Sequence, residues 1–411
     1  MRHDFFDIIS RDAFQKLLLE FPCSGTESVS IEEACGRFAA VDILSPEDLP
    51  PVNRSCMDGF AVNAADVFGS GESEPSYLEC VAELGVDQYP DFEISPGECA
   101  RIATGGTLPE GSDAVVMVEH TGIMGADTVE IRKSAAPGEN VMLKGEDCAK
   151  GKAVLKEGQK IRFQDVGLLA ALGISEIKVH KKPSVGILST GDELTDIKSG
   201  SIPGKMRDVN SYTLRCLVEK AGGIPQNYGI IGDNLEALKS ALKKALAEND
   251  LVLLSGGSSV GVRDFTVQAI EEMKDSAILA HGVAISPGKP TILGKSEGKP
   301  ILGLPGQVTS VQIIMLVLVI PFIKHISGSK NPFKGRVLIP AELARNTASK
   351  QGREDYVRVK LEKRENNLPL AHPLIGKSGL LRTMTEAEGL MVIAEDTEGS
   401  YAGKQVEIWL L

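Results

Sequence analysis

The sequence predicts a multidomain protein of α/β-plus-β class, with a central α/β unit built on a mostly parallel sheet and β-rich segments on either side. Three observations carry this reading. Between residues 41 and 177 turn signals punctuate short apolar runs, with no long helical period. From His180 onward, apolar strand-like runs alternate with amphipathic helical stretches. From Phe333 short strand patterns return. The 411 residues allow two to four domains, at roughly 100–200 residues each.

Taken in order, residues 12–20 read as a helix with Phe14, Leu17 and Leu18 on one face. A second helix is expected near Ser30, where Ser30 and Glu33 have capping-box spacing. Pro50-Pro51, Asp58-Gly59, Pro96-Gly97, Gly105-Gly106 and Pro137-Gly138 then mark turns between strands such as 114–118. Val185-Gly-Ile-Leu-Ser189 is a buried strand, and a helix follows Asn210 with Leu214, Leu217, Val218 and Ala221 in one stripe, closed by Gly222-Gly223. Next come a strand at 228–231, a helix aligning Leu235, Leu238, Leu242 and Leu246, a strand at 251–254, and a helix starting near Asp264. The last helix of the unit is 311–326, and strands at 356–361 and 405–410 belong to the C-terminal segment.

Composition excludes several classes. The formal net charge of −12 and pI near 5.2 argue against a nucleic-acid binder, which usually carries a broad basic face. The first residues lack the apolar core of a secretory signal. The apolar run 313–320 ends at Pro321, short of the roughly 20 residues that span a bilayer, so a buried helix and no membrane are expected. Seven scattered cysteines without a Cys-x-x-Cys pair speak against a disulfide scaffold or zinc ribbon, and for a cytoplasmic protein.

In an open α/β sheet, ligands bind beyond the carboxyl ends of the strands. Three polar clusters fall at that edge: Thr190-Gly191-Asp192-Glu193, Gly232-Asp233-Asn234, and Ser255-Gly256-Gly257-Ser258-Ser259 leading to Arg263-Asp264. A glycine-rich turn opening a helix suits phosphate, and gathered carboxylates suit Mg²⁺, a hard cation often shared with substrate phosphates. A phosphate-plus-magnesium site is therefore expected. Alone, Asp233 reads as a helix cap, Asp264 equally so, and Asp192 and Glu193 as ordinary first-turn acids. Lys289 sits in a proline-flanked loop, Arg353 in a polar turn, Thr104 and Asp58 in Gly-containing turns, and Asp147 in Gly145-Glu-Asp147.

These segments, in this order, resemble the MoeA family of molybdopterin molybdenumtransferases, to which the gephyrin E domain is related. The resemblance rests on Asp48-Leu-Pro-Pro51, Ser55-Cys-Met-Asp-Gly-Phe-Ala61, Arg101-Ile-Ala-Thr-Gly105, Pro109-Glu-Gly-Ser-Asp-Ala-Val-Val116, Gly145-Glu-Asp147, Ser189-Thr-Gly-Asp-Glu-Leu194, Ser255-Gly-Gly257, Pro287-Gly-Lys-Pro290, Gly303-Leu-Pro-Gly306, Gly352-Arg353 and Ser378. It implies an elongated, four-part subunit: residues 1–45 with 145–179, a β-rich arm at 46–144, a three-layer molybdopterin-binding α/β domain at 180–330, and a β-barrel-like domain at 331–411. It implies insertion of molybdate into adenylylated molybdopterin with loss of AMP, Mg²⁺ as cofactor, and a homodimer with the cleft between subunits. It also brings in molybdopterin adenylyltransferase as a partner.

By motif position the resemblance assigns Asp58, Glu193, Asp233, Asp264 and Lys289 to catalysis, and Glu193, Asp233 and Asp264 to the metal. Thr104, Asp147, Gly256, Gly257, Ser258, Arg353 and Ser378 go to substrate binding. Two positions depart from the family pattern: Ser286 stands where a lysine is common, and Gln307-Val308 where Asn-Pro is common. Losing that cation weakens molybdate binding or marks another oxyanion such as tungstate. The rival readings are a molybdopterin adenylyltransferase, which shares the pattern of residues 180–330, and a non-catalytic pterin-binding scaffold.

Overall fold

A continuous apolar strand wants cover on both faces, and an amphipathic helix supplies it on one. The computed structural model, which describes residues 8–256 and 260–411 and only the backbone at 260–264, resolves the central region in that way. Its six-stranded sheet runs, edge to edge, Ile224–Ile231, Ser184–Thr190, Leu251–Gly256, Lys299–Leu304, Ile292–Ser296 and Ala277–His281. The first four strands pair parallel, and Ile292–Ser296 is the antiparallel one. Leu214 and Val218 of helix Asn210–Ala221 pack with the apolar helix 308–326 on one face. Leu238, Leu242 and Leu246 of helix Leu235–Glu248 pack with Ala269 and Ile270 of Val260–Glu271 on the other. The three-layer reading stands.

Helix 308–326 is long and apolar enough to cross a membrane by length and composition, yet 78% of its apolar window is buried in the core of this unit. It contains a π-helical turn at Met315–Val319, just before Pro321. Proline has no N–H for the residue four back, and a π turn absorbs the mismatch.

The flanking units are β-rich, as expected. An arm sheet orders Ala114–Met117, Gly59–Val62, Glu98–Ile102, Ser76–Leu84, Thr128–Ile131 and Thr121–Met124. Along Gly59–Val62 the side chains alternate: Phe60 and Val62 join one core, Ala61 the other. The C-terminal segment closes a five-stranded barrel from Leu338–Leu343, Glu354–Glu362, Leu370–Pro373, Gly389–Ile393 and Gln405–Leu410. The short strand Ile285–Ser286 leaves the central unit to pair parallel with Glu354 and Asp355 at the barrel rim.

The N-terminal segment folds with a later stretch of chain. Thr26–Ser30 pairs antiparallel with Glu176–His180, and Ile43–Leu44 with Ala153–Leu155. Helix Arg11–Leu19 is capped by the Ser10 hydroxyl, which accepts from Ala13 N at 3.2 Å, and inserts Phe14 and Leu18 into the central core. The total exposed area is 21090 Å², against about 15,400 Å² for a compact monomer of this mass. The subunit is elongated.

Two local expectations are corrected. Residues 163–171 form a helix inside the stretch read as strands and turns, held at its start by Arg162 N donating to Asp165 Oδ2 at 2.8 Å. Its apolar residues, diluted by Gly167, do not make a long periodic signal. The capping box at Ser30 does not form: the helix is only Ile31–Ala34, and the Ser30 side chain makes no cap hydrogen bond.

Candidate functional site

The site begins where strands Ser184–Thr190 and Leu251–Gly256 end side by side. The helix after the first crosses to one neighbour and the helix after the second to the other side, so a crevice opens between the loops. Thr190 and Gly256 are register partners there, and a Cβ on Gly256 would lie 2.1 Å from the Thr190 carbonyl oxygen. Glycine is required by this contact.

The crevice is a cleft of about 580 Å³, lined by Thr190, Glu193, Asp208, Asn210, Ser255 and Gly256 with Leu194, Met206, Val209 and Leu381 as apolar walls. Gly306, Gln307 and Val308 enter from the start of helix 308–326, and Gly379 from a barrel loop. That loop is anchored at Ser378, whose carbonyl accepts from Thr309 N at 3.1 Å and Thr309 Oγ1 at 2.7 Å. The cleft therefore joins the central unit to the barrel.

Polar groups at this edge lack partners. Among the described residues nine buried side-chain atoms have none, and four of them belong to this edge: Ser189 Oγ in a strand, Asn210 Oδ1 and Ser211 Oγ at the start of helix Asn210–Ala221, and Asp233 Oδ1 in a loop. An unpaired buried polar atom is costly, on the order of 1–3 kcal/mol, and of these four residues Asn210 is the one that belongs to the cleft lining. Asn210 is oriented by donating from Nδ2 to Ser255 Oγ at 2.8 Å and to the Gly306 carbonyl at 3.0 Å.

The acids sit around this edge. Glu193 is half-buried on the cleft wall, its carboxylate folded over Gly191. Asp192 Oδ1 accepts from Asp233 N at 3.0 Å, tying the first acidic loop to the second. The cap reading of Asp233 is corrected: Asn234 caps helix Leu235–Glu248 by accepting from Ala237 N at 3.0 Å, which leaves Asp233 unengaged at Oδ1. The cap reading of Asp264 fails as well, because the helix begins at Val260. The Asp264 side chain, Gly257 and Ser258 lie outside the described residues.

Among the described residues no three His, Cys, Asp or Glu side chains gather as a ready metal cage. Mg²⁺ commonly uses one or two carboxylates and takes its remaining ligands from water and substrate phosphates. Glu193 on the cleft wall and Asp233 on the neighbouring loop are carboxylates of the kind that donor set uses.

Other predicted residues fall into two separate groups. Lys289 and Arg353 flank the pairing of Ser286 with Asp355, and Arg353 Nη2 donates to Asp355 Oδ2 at 3.2 Å while its Nε has no partner. Neither lines the cleft. Asp58 and Thr104 are exposed on the arm, and Asp147 is exposed just past it. Thr104 donates from N at 2.7 Å and Oγ1 at 2.9 Å to Asp58 Oδ1; the backbone donor first, then the hydroxyl, hold the Asp58 carboxyl below its ordinary range. The Asp147 turn is fixed by its N–H to the Leu49 carbonyl at 3.1 Å. These three residues are also absent from the cleft lining. The cleft also takes Asp208 and Ser255; an acid two residues before a helix carries no sequence mark distinguishing it from a cap.

Family models match almost the whole length: the MoeA N-terminal region (domain I and II) over residues 8–173, the probable molybdopterin binding domain over 186–325, and the MoeA C-terminal region (domain IV) over 340–411. A Methanocaldococcus jannaschii protein named for molybdopterin biosynthesis is 37% identical over 94% of this chain and 92% of its own.

The chain belongs to the MoeA family.

A Staphylococcus aureus member named molybdopterin molybdenumtransferase is 30% identical over 97% of this chain and 94% of its own. A crystal structure of the molybdopterin biosynthesis MoeA protein from Pyrococcus horikoshii superimposes with a TM-score of 0.82 at 35% identity, covering 98% of this chain and 99% of that one. The MoeA fold thus accounts for the arm, the three-layer unit and the barrel together.

Proposed function

We propose that this protein is a molybdopterin molybdenumtransferase, acting in molybdenum cofactor biosynthesis on adenylylated molybdopterin and molybdate, with release of AMP. The observation that carries the reading is the cleft at the strand ends, where apolar walls meet Glu193, Asp208, Asn210 and Ser255 in a chain aligned end to end with relatives of that name. Leu194, Met206 and Val209 offer a flat pterin ring an apolar bed, while Asn210 and Ser255 offer hydrogen bonds to its polar edge.

Glu193 and Asp233, with Asp264 by its place in the chain, would hold Mg²⁺, which supplies positive charge beside the pyrophosphate as the phosphorus centre is attacked. Lys289 and Arg353 are the candidates to draw in the molybdate dianion. Two anions must be brought together, so positioning and charge compensation do most of the work, and no Ser-His-Asp set is needed. We extend the reading to a homodimer and to a reducing, cytoplasmic setting; the seven unpaired thiols fit the latter.

The test supplies adenylylated molybdopterin, Mg²⁺ and either molybdate or tungstate to the full chain, and measures AMP release and active cofactor. Oxyanion-stimulated AMP release is expected. Its absence with both oxyanions overturns the transferase reading, and a preference for tungstate reassigns the substrate.

A further inference from the structure

Away from the cleft, the N-terminal and central units meet around a second cavity, of about 230 Å³. Its lining comes from five separate stretches of chain and includes Arg37, Lys160, Lys181, Lys182, Lys220 and Lys324. In a protein of net charge −12, such a gathering of cations demands an account.

Local pairing does not provide one. Arg37 is engaged by Glu27 and by the His180 carbonyl. The acid on the rim, Glu219, is held by Arg215 at 3.2 Å. Among the described residues the lysine ion pairs are those of Lys133, Lys144, Lys239, Lys274 and Lys330, so the five lysines of the cavity have no acidic partner. Lys324 is half-buried, and burial, then Lys160 and Lys220, press its pKa downward. Helices Asn210–Ala221 and Ile320–Ile326 end here, and each carboxyl end offsets about half a unit of positive charge. Most of the excess remains.

We infer that this cavity is a second anion site, taking a small phosphate-bearing molecule whose phosphate chain is held by Lys160, Lys181, Lys182, Lys220 and Lys324. A concave, lysine-lined space of this size matches a di- or triphosphate better than an extended acidic peptide, which needs a long open groove. The site shares no lining residue with the cleft. One helix touches both: Asn210 opens it at the cleft and Lys220 stands near its other end at the cavity, about 15 Å along the axis.

The test is calorimetric titration of the full chain with inorganic pyrophosphate and, separately, ATP, in low salt with metal chelated. Saturable binding is expected, weakened at least tenfold in the triple variant Lys160→Gln/Lys182→Gln/Lys324→Gln and unchanged in the cleft variant Glu193→Gln. Equal affinity for both probes identifies the phosphate chain as the recognised group; tighter ATP binding identifies a nucleotide. The single exposed change Lys182→Gln, with circular dichroism and melting matched to wild type, separates lost binding from lost folding and should itself weaken binding severalfold. No saturable binding, a triple-variant loss below tenfold, or loss in Glu193→Gln overturns the inference. Capture of polyglutamate by these lysines, with neither pyrophosphate nor ATP bound, overturns it in favour of an acidic protein segment.

Discussion

At the scale of single residues, Asp58 and Thr104 show how a turn tunes an acid. Two donors from one residue converge on Asp58 Oδ1 and stabilise the charged form. Thr104→Ala removes the hydroxyl donor and keeps the backbone one, so the Asp58 pKa should rise part of the way toward the ordinary aspartate range, as followed by NMR titration of the carboxyl carbon. The sign follows from linkage: a depressed carboxyl pKa favours the folded turn above the unfolded value, and that contribution is lost as pH falls through the folded one. Glu193 has a different role, as a carboxylate on the cleft wall. Glu193→Ala should lower kcat for AMP release by at least a hundredfold with an unchanged melting temperature; full turnover would remove Glu193 from the chemistry. Asp233 was less legible. Asp-Asn-Leu-Glu reads as a cap at either of its first two residues, and only the backbone decides that Asn234 takes the cap and leaves Asp233 Oδ1 unpaired.

At the scale of elements, the central unit was legible because its signals are redundant. Helix Leu235–Glu248 spaces its leucines at helical intervals, and strand Leu251–Gly256 is apolar on both faces. Helix Phe163–Ala171 offered no such redundancy, being nine residues long with an internal glycine. The orphaned polar atoms at this sheet edge were beyond reach, since a sequence shows which groups can bond but not which are left unbonded. Gly256 marks a third kind of position, where the element fixes the residue through contact across strands. Gly256→Ala would force a methyl against the Thr190 backbone, an overpacking cost of about 1–3 kcal/mol. A lowered melting temperature, together with weaker molybdopterin binding, is the expected outcome, because the displaced atoms form the floor of the cleft.

At the scale of the whole molecule, the candidate residues do not all line one cleft. Glu193 and Gly256 line the cleft, and Asp233 stands beside it, tied by Asp192. Asp58 and Thr104 lie exposed on the arm and Asp147 just past it, all three outside the cleft lining. An elongated subunit whose arm residues are absent from its own cleft lining completes such a site most simply by offering that arm to a second copy. Closed two-fold pairing would do this twice, once per cleft. The arrangement makes a quantitative prediction. Asp58→Ala and Glu193→Ala chains should each be inactive as pure dimers, since every cleft then lacks either its arm acid or its wall acid. Unfolded together in equal amounts and refolded, half of the dimers are mixed, and each mixed dimer has one cleft with both acids and one with neither. Activity should then recover to about a quarter of wild type. If both acids act within one subunit, mixing restores nothing, because every chain still carries one defect. With an affinity tag on one variant, co-purification of the untagged chain alongside the assay establishes that mixed dimers are present, so a failure to recover activity would count against the shared cleft rather than against assembly.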